Sequence, residues 1–324
     1  MRLTPVAETG KRFRDFSPYV ASISDSGVVA FQASLAAGGS GVYVAQGGAL
    51  TALAETGGPI ADVHSHPDIN AAGACCFYGR LNSGEDGVFL IEQGQVATVA
   101  MPSGPLGPTM NEAGAVAFRA AHASGIAGVY LGRGGQTTTI ADTRERFCAF
   151  QGLPVVNRDG LVAFRADIAA GGQCIEVGDG VSQRTIVATG EEFQDLGFFP
   201  VMNDSGVVGY RATLRNGVSG LFVTSNRSTN RILDTSGPFE SIRGLLLNNA
   251  AEVVFFATPR GGRLGVYTGP DHAKHRVLGL GDPLLESAVA DFALNPVSMN
   301  EAGQLAIRVK LDDDRQFILR ADPA

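Results

Sequence analysis

Tryptophan is absent from this 324-residue chain, cysteine and histidine number only four and five, and 18% of the residues are charged. The missing indoles weigh against a face built for docking sugars or peptides, where broad aromatic platforms are usual. The spacing of Cys75, Cys76, Cys148 and Cys174 matches neither a zinc ribbon nor a secreted disulfide framework, so free, buried thiols are expected. Long apolar runs are missing too, which excludes a membrane-spanning helix. A formal charge of −7 leaves no basic stripe for nucleic acid. The opening residues MRLTPVAETG lack the apolar stretch of a secretory signal, so a cytoplasmic location is expected. A mature secreted chain with its leader trimmed would read the same way. Glycine, by contrast, is abundant at 43, as in a packed and turn-rich globule.

What the chain does have is repetition. The strings SDSGVVAF, NAAGACCF, NEAGAVAF, NRDGLVAF, NDSGVVGY, NNAAEVVF and NEAGQLAI start at Ser24, Asn70, Asn111, Asn157, Asn203, Asn248 and Asn300. Their start-to-start spacings are 46, 41, 46, 46, 45 and 52 residues. A period of roughly 40–50 residues rich in β-formers predicts propeller blades. The expected fold is all-β: one seven-bladed β-propeller domain, 1–324, built of four-stranded antiparallel blades.

In the first repeat the strands fall at SPYVAS (17–22), VVAFQASL (28–35), GVYVAQ (41–46) and ALTALAETG (49–57), joined by Gly-rich hairpins. The Asn of the landmark bonds backbone within its own turn, and the Gly takes the left-handed conformation. Blade six has Ala251 and Glu252 where the Gly should fall, which predicts a looser turn. The last repeat stops after its third strand, FILRADPA, while LTPVAETG (3–10) matches ALTALAETG almost letter for letter. The N-terminal strand is therefore expected to complete blade seven and remove an exposed edge. With this layout the chain resembles the bacterial β-propeller proteins built on repeated N-x-x-G-x-V-x-F units. That resemblance covers the whole chain and implies the fold, not an activity.

The longer connections lie opposite the Asn-x-x-Gly turns, at 10–19, 57–68, 143–152 and 281–296, and a site belongs on that face. The sharpest local feature is the segment from Asp62 to Asp68. Alternation would put Asp62, His64, His66 and Asp68 on one side of an extended strand. His64 and His66 are candidates for acid–base chemistry, with Tyr78 on the next strand. A divalent metal on His64, His66 and Asp62 is a second use of the same residues, although His122, His272 and His275 offer no obvious third imidazole. No cofactor is otherwise expected.

A second set is periodic. Arg119, Arg165 and Arg211 each follow the landmark aromatic and Arg308 holds the equivalent place in blade seven, where the other blades carry Gln32, Tyr78 and Phe256. Four guanidinia at one rotational position could form a girdle for a carboxylate or phosphate, or could pair with carboxylates between blades. Arg14 and Arg146 add charge in the same loops. Blade two is the odd one, because Tyr78 replaces the arginine where the His pair also stands.

These residues predict an enzyme acting on a small, anionic molecule at the channel mouth. His64 or His66 would supply acid–base chemistry and the arginines would hold charge, as in a lyase, isomerase, cyclase or lactone hydrolase. A non-catalytic ligand-binding module or a protein-interaction scaffold is the alternative, so the expected partners are a small molecule or another protein. Nucleic acid and membrane are not expected.

Overall fold

The computed structural model describes residues 1–101, 103–121, 124–226 and 228–323, with the side chains of 103–106 outside the description. His122 therefore lies outside the described residues. Seven antiparallel sheets form a β-propeller, and no helix is present among the described residues that could cross a membrane. Ring closure is as expected: the strand Arg2–Glu8 pairs with Gln316–Asp322, which pairs with Leu305–Leu311.

Five of the seven blades are held by an aromatic pair across their second and third strands. Phe31 stands opposite Tyr43, Phe77 opposite Phe89, Phe118 opposite Tyr130, Tyr210 opposite Phe222 and Phe255 opposite Tyr267. Phe13, Phe193 and Phe239 add edge-on contacts from the inner strands, the geometry that ring quadrupoles favour. Blades four and seven are the exceptions, and in blade seven Ile307 stands opposite Leu319. In blade four Glu176 takes the aromatic place opposite Phe164, fully buried, and Arg146 donates to it at 2.8 Å.

The landmark asparagines do more than turn the chain. Each Oδ1 accepts from the backbone four residues on, at 2.9–3.0 Å, as turn chemistry requires. Each Nδ2 then donates to a backbone carbonyl of the next blade, at 2.8–3.5 Å. Six seams carry this staple. The seam between blades one and two has none, because Ser24 replaces the asparagine and bonds only within its own turn. That seam instead uses Ser40, whose hydroxyl donates to Asp62 and accepts from the Val63 N–H.

The turn of blade six is not looser. Ala251 itself takes the left-handed conformation (φ 60°), and its N–H donates to Asn248 at 3.0 Å, as Gly303 does to Asn300. An L-residue there carries a steric cost of about 1 kcal/mol. Ala251→Gly is therefore expected to stabilise the fold by about 0.5–1 kcal/mol, read as a higher denaturation midpoint at unchanged slope.

The inner strands differ most from expectation. The segment predicted as a strand over 17–22 is broken: Phe13–Asp15 and Ser22–Ile23 pair with the second strand, and 16–21 do not. Blades two and five break in the same place, at 64–67 and 197–200. Blades three, four and six keep a continuous inner strand with a register shift there. Such interruptions re-aim side chains away from the ladder. In a propeller the freed direction is the central axis.

Candidate active site at the channel mouth

The interruptions surround an axial cavity of about 390 Å³ on the face expected to carry a site. Its walls come from six of the seven blades. Tyr19, His64, His66, Arg119, Asn295 and the aromatic pair Phe198–Phe199 are the residues that give it character. Phe198 and Phe199 are half exposed and form wall, with Arg165 lying over the Phe198 ring at 5.4 Å. No carboxylate is among the described lining residues.

The alternation expected for 62–68 is not realised, because the strand Ile60–Val63 ends before the histidines and resumes only at Asp68–Ile69. Asp62 turns toward the blade-one seam and is half exposed. His64 is partly exposed, with its Nδ1 4.0 Å from an Asp62 oxygen and its ring 5.7 Å from that of Tyr78. His66 is buried, its ring standing directly over Gly107, where a Cβ would lie 2.1 Å from Cε1. Gly152 is constrained more tightly still: its φ is +66° and a Cβ would fall 1.6 Å from the Phe198 carbonyl oxygen. Tyr78 does not line the cavity; its ring backs His64, and its phenol is raised by burial and then by Asp86.

Asp68 belongs to the other end of the channel. There the second residues of the landmark turns, Asp25, Glu112, Asp204 and Glu301, ring a smaller cavity of about 150 Å³. These carboxylates cap one another's blades head to tail. Asp25 accepts from the Glu301 N–H, Glu301 from Asn249, Asp204 from Arg158 and Glu112 from Ala71, at 2.6–3.0 Å. One end of the axis is thus acidic. Among the described residues, the lining histidines and a guanidinium stand at the other end.

Two buried groups near the axis titrate far from their usual values. Burial pushes His66 down to about 4, offset in part by a hydrogen bond to the Pro108 carbonyl. Burial pushes Asp68 up to about 7, against the N–H groups of Met110 (2.7 Å) and Ile69 (2.8 Å). At neutral pH His66 is therefore an uncharged imidazole.

The two shifts act oppositely on stability. On unfolding His66 regains its ordinary value of 6.5, so its contribution is full above 6.5 and lost as pH falls toward 4. Asp68 contributes fully below 3.8 and loses that contribution as pH rises toward 7. Between pH 4 and 6.5 the slopes oppose. A His66→Gln chain should melt lower as pH rises through this window and an Asp68→Asn chain higher, with the parent flatter than both. Three parallel melting curves would overturn the assignment.

The arginine ring divides sharply. Arg165 is buried and lies 2.7 Å from Asp167. Arg211 pairs with Asp195 at 2.7 Å, and Arg308 with Asp291 at 3.2 Å and Ser17 at 2.8 Å. Arg119 alone of the four lines the cavity and donates only to a backbone carbonyl, that of Phe150. Burial without a carboxylate lowers its pKa. Arg14 is exposed, and Arg146 serves Glu176; neither lines the cavity.

Register explains the division. Asp195 and Asp291 stand opposite Thr213 and Lys310, two residues beyond their arginines. The same place is held in blade three by Ser103, opposite Ala121, and in blade two by Asp62, opposite Arg80. Blade two keeps the acid and has lost the arginine; blade three keeps the arginine and has lost the acid. Of this unmatched pair only Arg119 lines the axial cavity. Asn295, Tyr19 and Gln151 also face it; they lie in or beside the long connections but carry no motif that singles them out.

No group of three or more His, Cys, Asp or Glu side chains comes together as a metal set among the described residues. The grouping of His64, His66 and Asp62 fails because Asp62 turns away and His66 is committed to its buried niche. Of the cysteines, Cys75, Cys76 and Cys174 are buried and free, whereas Cys148 is exposed, contrary to expectation.

A chain of seven four-stranded sheets closed by its own N-terminal strand, with a cavity at one mouth of the axis, is a seven-bladed β-propeller. No protein-family model matches it, and no curated protein does. Solved structures are similar in fold. An oligogalacturonate lyase in complex with manganese is 11% identical over 99% of this chain and 98% of its own, with a TM-score of 0.59. An oligogalacturonate lyase from Vibrio parahaemolyticus is 12% identical over the same shares, with a TM-score of 0.55. A prolyl endopeptidase is 10% identical over 94% of this chain, which spans 51% of that protein, with a TM-score of 0.56. Identities this low bear on the fold alone.

Proposed function

We propose that this propeller binds a small organic carboxylate in the axial cavity and moves a proton on it through His64. One observation carries the reading. Nε2 of His64, Nε2 of His66, Nε of Arg119 and Nδ2 of Asn295 are all buried without a partner, and all four side chains line this one cavity. Unpaired buried polar groups cost about 1–3 kcal/mol each, so four around one space call for a ligand.

The roles follow from the chemistry of each group. Arg119 meets the carboxylate with no competing acid in the lining, and Asn295 donates a second hydrogen bond. His64 is the base: its Nε2 has no protein partner, and the nearest carboxylate, Asp62, is 4.0 Å from its Nδ1. His66, uncharged, accepts from a hydroxyl of the ligand. The reaction class that suits this set is proton abstraction next to the carboxylate, with a lyase or isomerase outcome.

A binding module without turnover is the second reading, favoured by His66 being too acidic to serve as a partner acid at neutral pH. The test is a thermal-shift and ligand-NMR panel of hydroxy acids, a uronate and phosphate beside neutral amides. The uronate is included because two of the structural neighbours are named for an acidic saccharide. Carboxylates that raise the melting temperature while their amides do not support the site. Equal behaviour of acids and amides overturns it. His64→Gln should retain binding and abolish any turnover; a parent that binds without exchanging a ligand proton settles for the second reading.

A further inference from the structure

A second cavity, of about 270 Å³, adjoins the first between blades six and seven. The two share Phe199, Leu294 and Asn295 as common wall. Its lining is mostly apolar, with Leu246, Phe256, Leu264 and Phe292 among the residues around the space and the exposed Arg243 its one charged member among the described residues. Blade six departs from the ring pattern in two ways that create this room. Phe256 stands where four other blades place arginine, and Gly244, opposite it in register, contributes no side chain. A Cβ at Gly244 would meet only the Phe256 ring, at 3.7 Å, an ordinary contact. The glycine is therefore not demanded by the backbone. It leaves space.

From this arrangement we infer that the ligand is amphipathic: a carboxylate whose apolar substituent lies in the blade-six compartment while its head meets Arg119. The inference rests on the reading of the axial cavity as an anion site and names the substrate class within it. The compartment offers roughly the volume of nine waters, enough for a short alkyl chain or a phenyl ring. Together the two cavities fall within the range of about 300–1,000 Å³ typical of small-molecule sites. Asn295, at the junction, carries an unpaired buried Nδ2 that can donate to the atom joining head and tail. A purely polar ligand would leave Phe256, Leu264 and Phe292 facing water. A purely apolar one would leave Arg119 unpaired.

The experiment is a titration series of acetate, butanoate, hexanoate and phenylacetate, with hexanamide as the uncharged control. It is run on the parent chain, Gly244→Leu and Phe256→Arg. In the parent, affinity should rise roughly fourfold per methylene until the compartment is full. Both variants should hold acetate as the parent does and bind hexanoate at least tenfold more weakly than the parent. Matching melting temperatures would show that Gly244→Leu fills space without disturbing the blade. Chain-length dependence that is absent in the parent, or that survives both substitutions, overturns the inference while leaving the anion site standing. Hexanamide binding that Gly244→Leu abolishes, with no carboxylate bound by any chain, overturns the anion reading instead and keeps only the apolar compartment. Failure of every ligand overturns both.

Discussion

A chain lacking residues 1–9 is expected to melt at least about 10 °C below the full-length protein and to aggregate on heating. The strand Arg2–Glu8 is the outer strand of the last blade, in register with Gln316–Asp322 along six residue pairs. Beyond it, Thr9 donates its N–H to the Gln316 carbonyl and accepts the Gln316 N–H on its hydroxyl. The Gln316 side chain in turn accepts from the Phe16 N–H in blade one. Met1 and Leu3 pack on the core of blades six and seven, Val6 and Ala7 on that of blade one.

Deletion therefore removes backbone bonds worth about 1 kcal/mol each and strips apolar cover from two cores at once. A loss of some 5 kcal/mol corresponds to about 10 °C at the roughly 2 °C per kcal/mol expected for a chain of this size. The strand left bare is a long hydrophobic edge, which pairs readily with other chains. Adding a synthetic peptide of residues 1–9 should restore part of the lost melting temperature. A truncated chain that melts within 2 °C of the parent would show that closure contributes little.

Arg119→Leu is expected to lower carboxylate affinity by about 30-fold or more while leaving the melting temperature unchanged or slightly raised. A charge-assisted contact to a bound anion is worth about 2–3 kcal/mol, which sets the loss. The stability side follows from the partner it lacks. Arg119 is half-buried, and burial lowers its pKa without a carboxylate to compensate. Leucine removes that desolvation cost and gives up one bond to the Phe150 carbonyl.

Arg165→Leu should behave in the opposite way. It removes a buried guanidinium from Asp167, which keeps Gln151 as a donor at 3.2 Å, and should cost roughly 1 kcal/mol or more of stability, with little direct effect on the ligand head. Melting curves and ligand titrations of the two variants, side by side, separate a binding arginine from one paired within its own blade. If Arg119→Leu melts low and binds normally, the site assignment fails.

Fold and site were legible to different degrees, and the reason is range. Blade number, strand number and the closing role of LTPVAETG were readable because each rests on contacts local in sequence: a hairpin, an alternation, a missing fourth strand. The face that carries the axial cavity was readable too, since the long connections all emerge on one face. The second task of the landmark asparagines was not, because Nδ2 of Asn111 reaches the carbonyl of Asn157, one full repeat away. The division among the arginines was half written. The string from Ser103 to Ala121 holds no acid except Glu112 in the turn, so the two inner strands of blade three offer Arg119 no carboxylate. What that meant depended on strand register, which places Ser103 where Asp195 and Asp291 stand in other blades.

Only the tertiary structure decided the fate of His64, His66 and Asp68. Their strict alternation in sequence promised one shared face, but the inner strand breaks between Val63 and Asp68. That break turns His64 and His66 to one mouth of the axis and Asp68 to the other. Side-chain direction along a strand follows from pairing at every residue, and pairing with the neighbouring strand is a property of the folded blade.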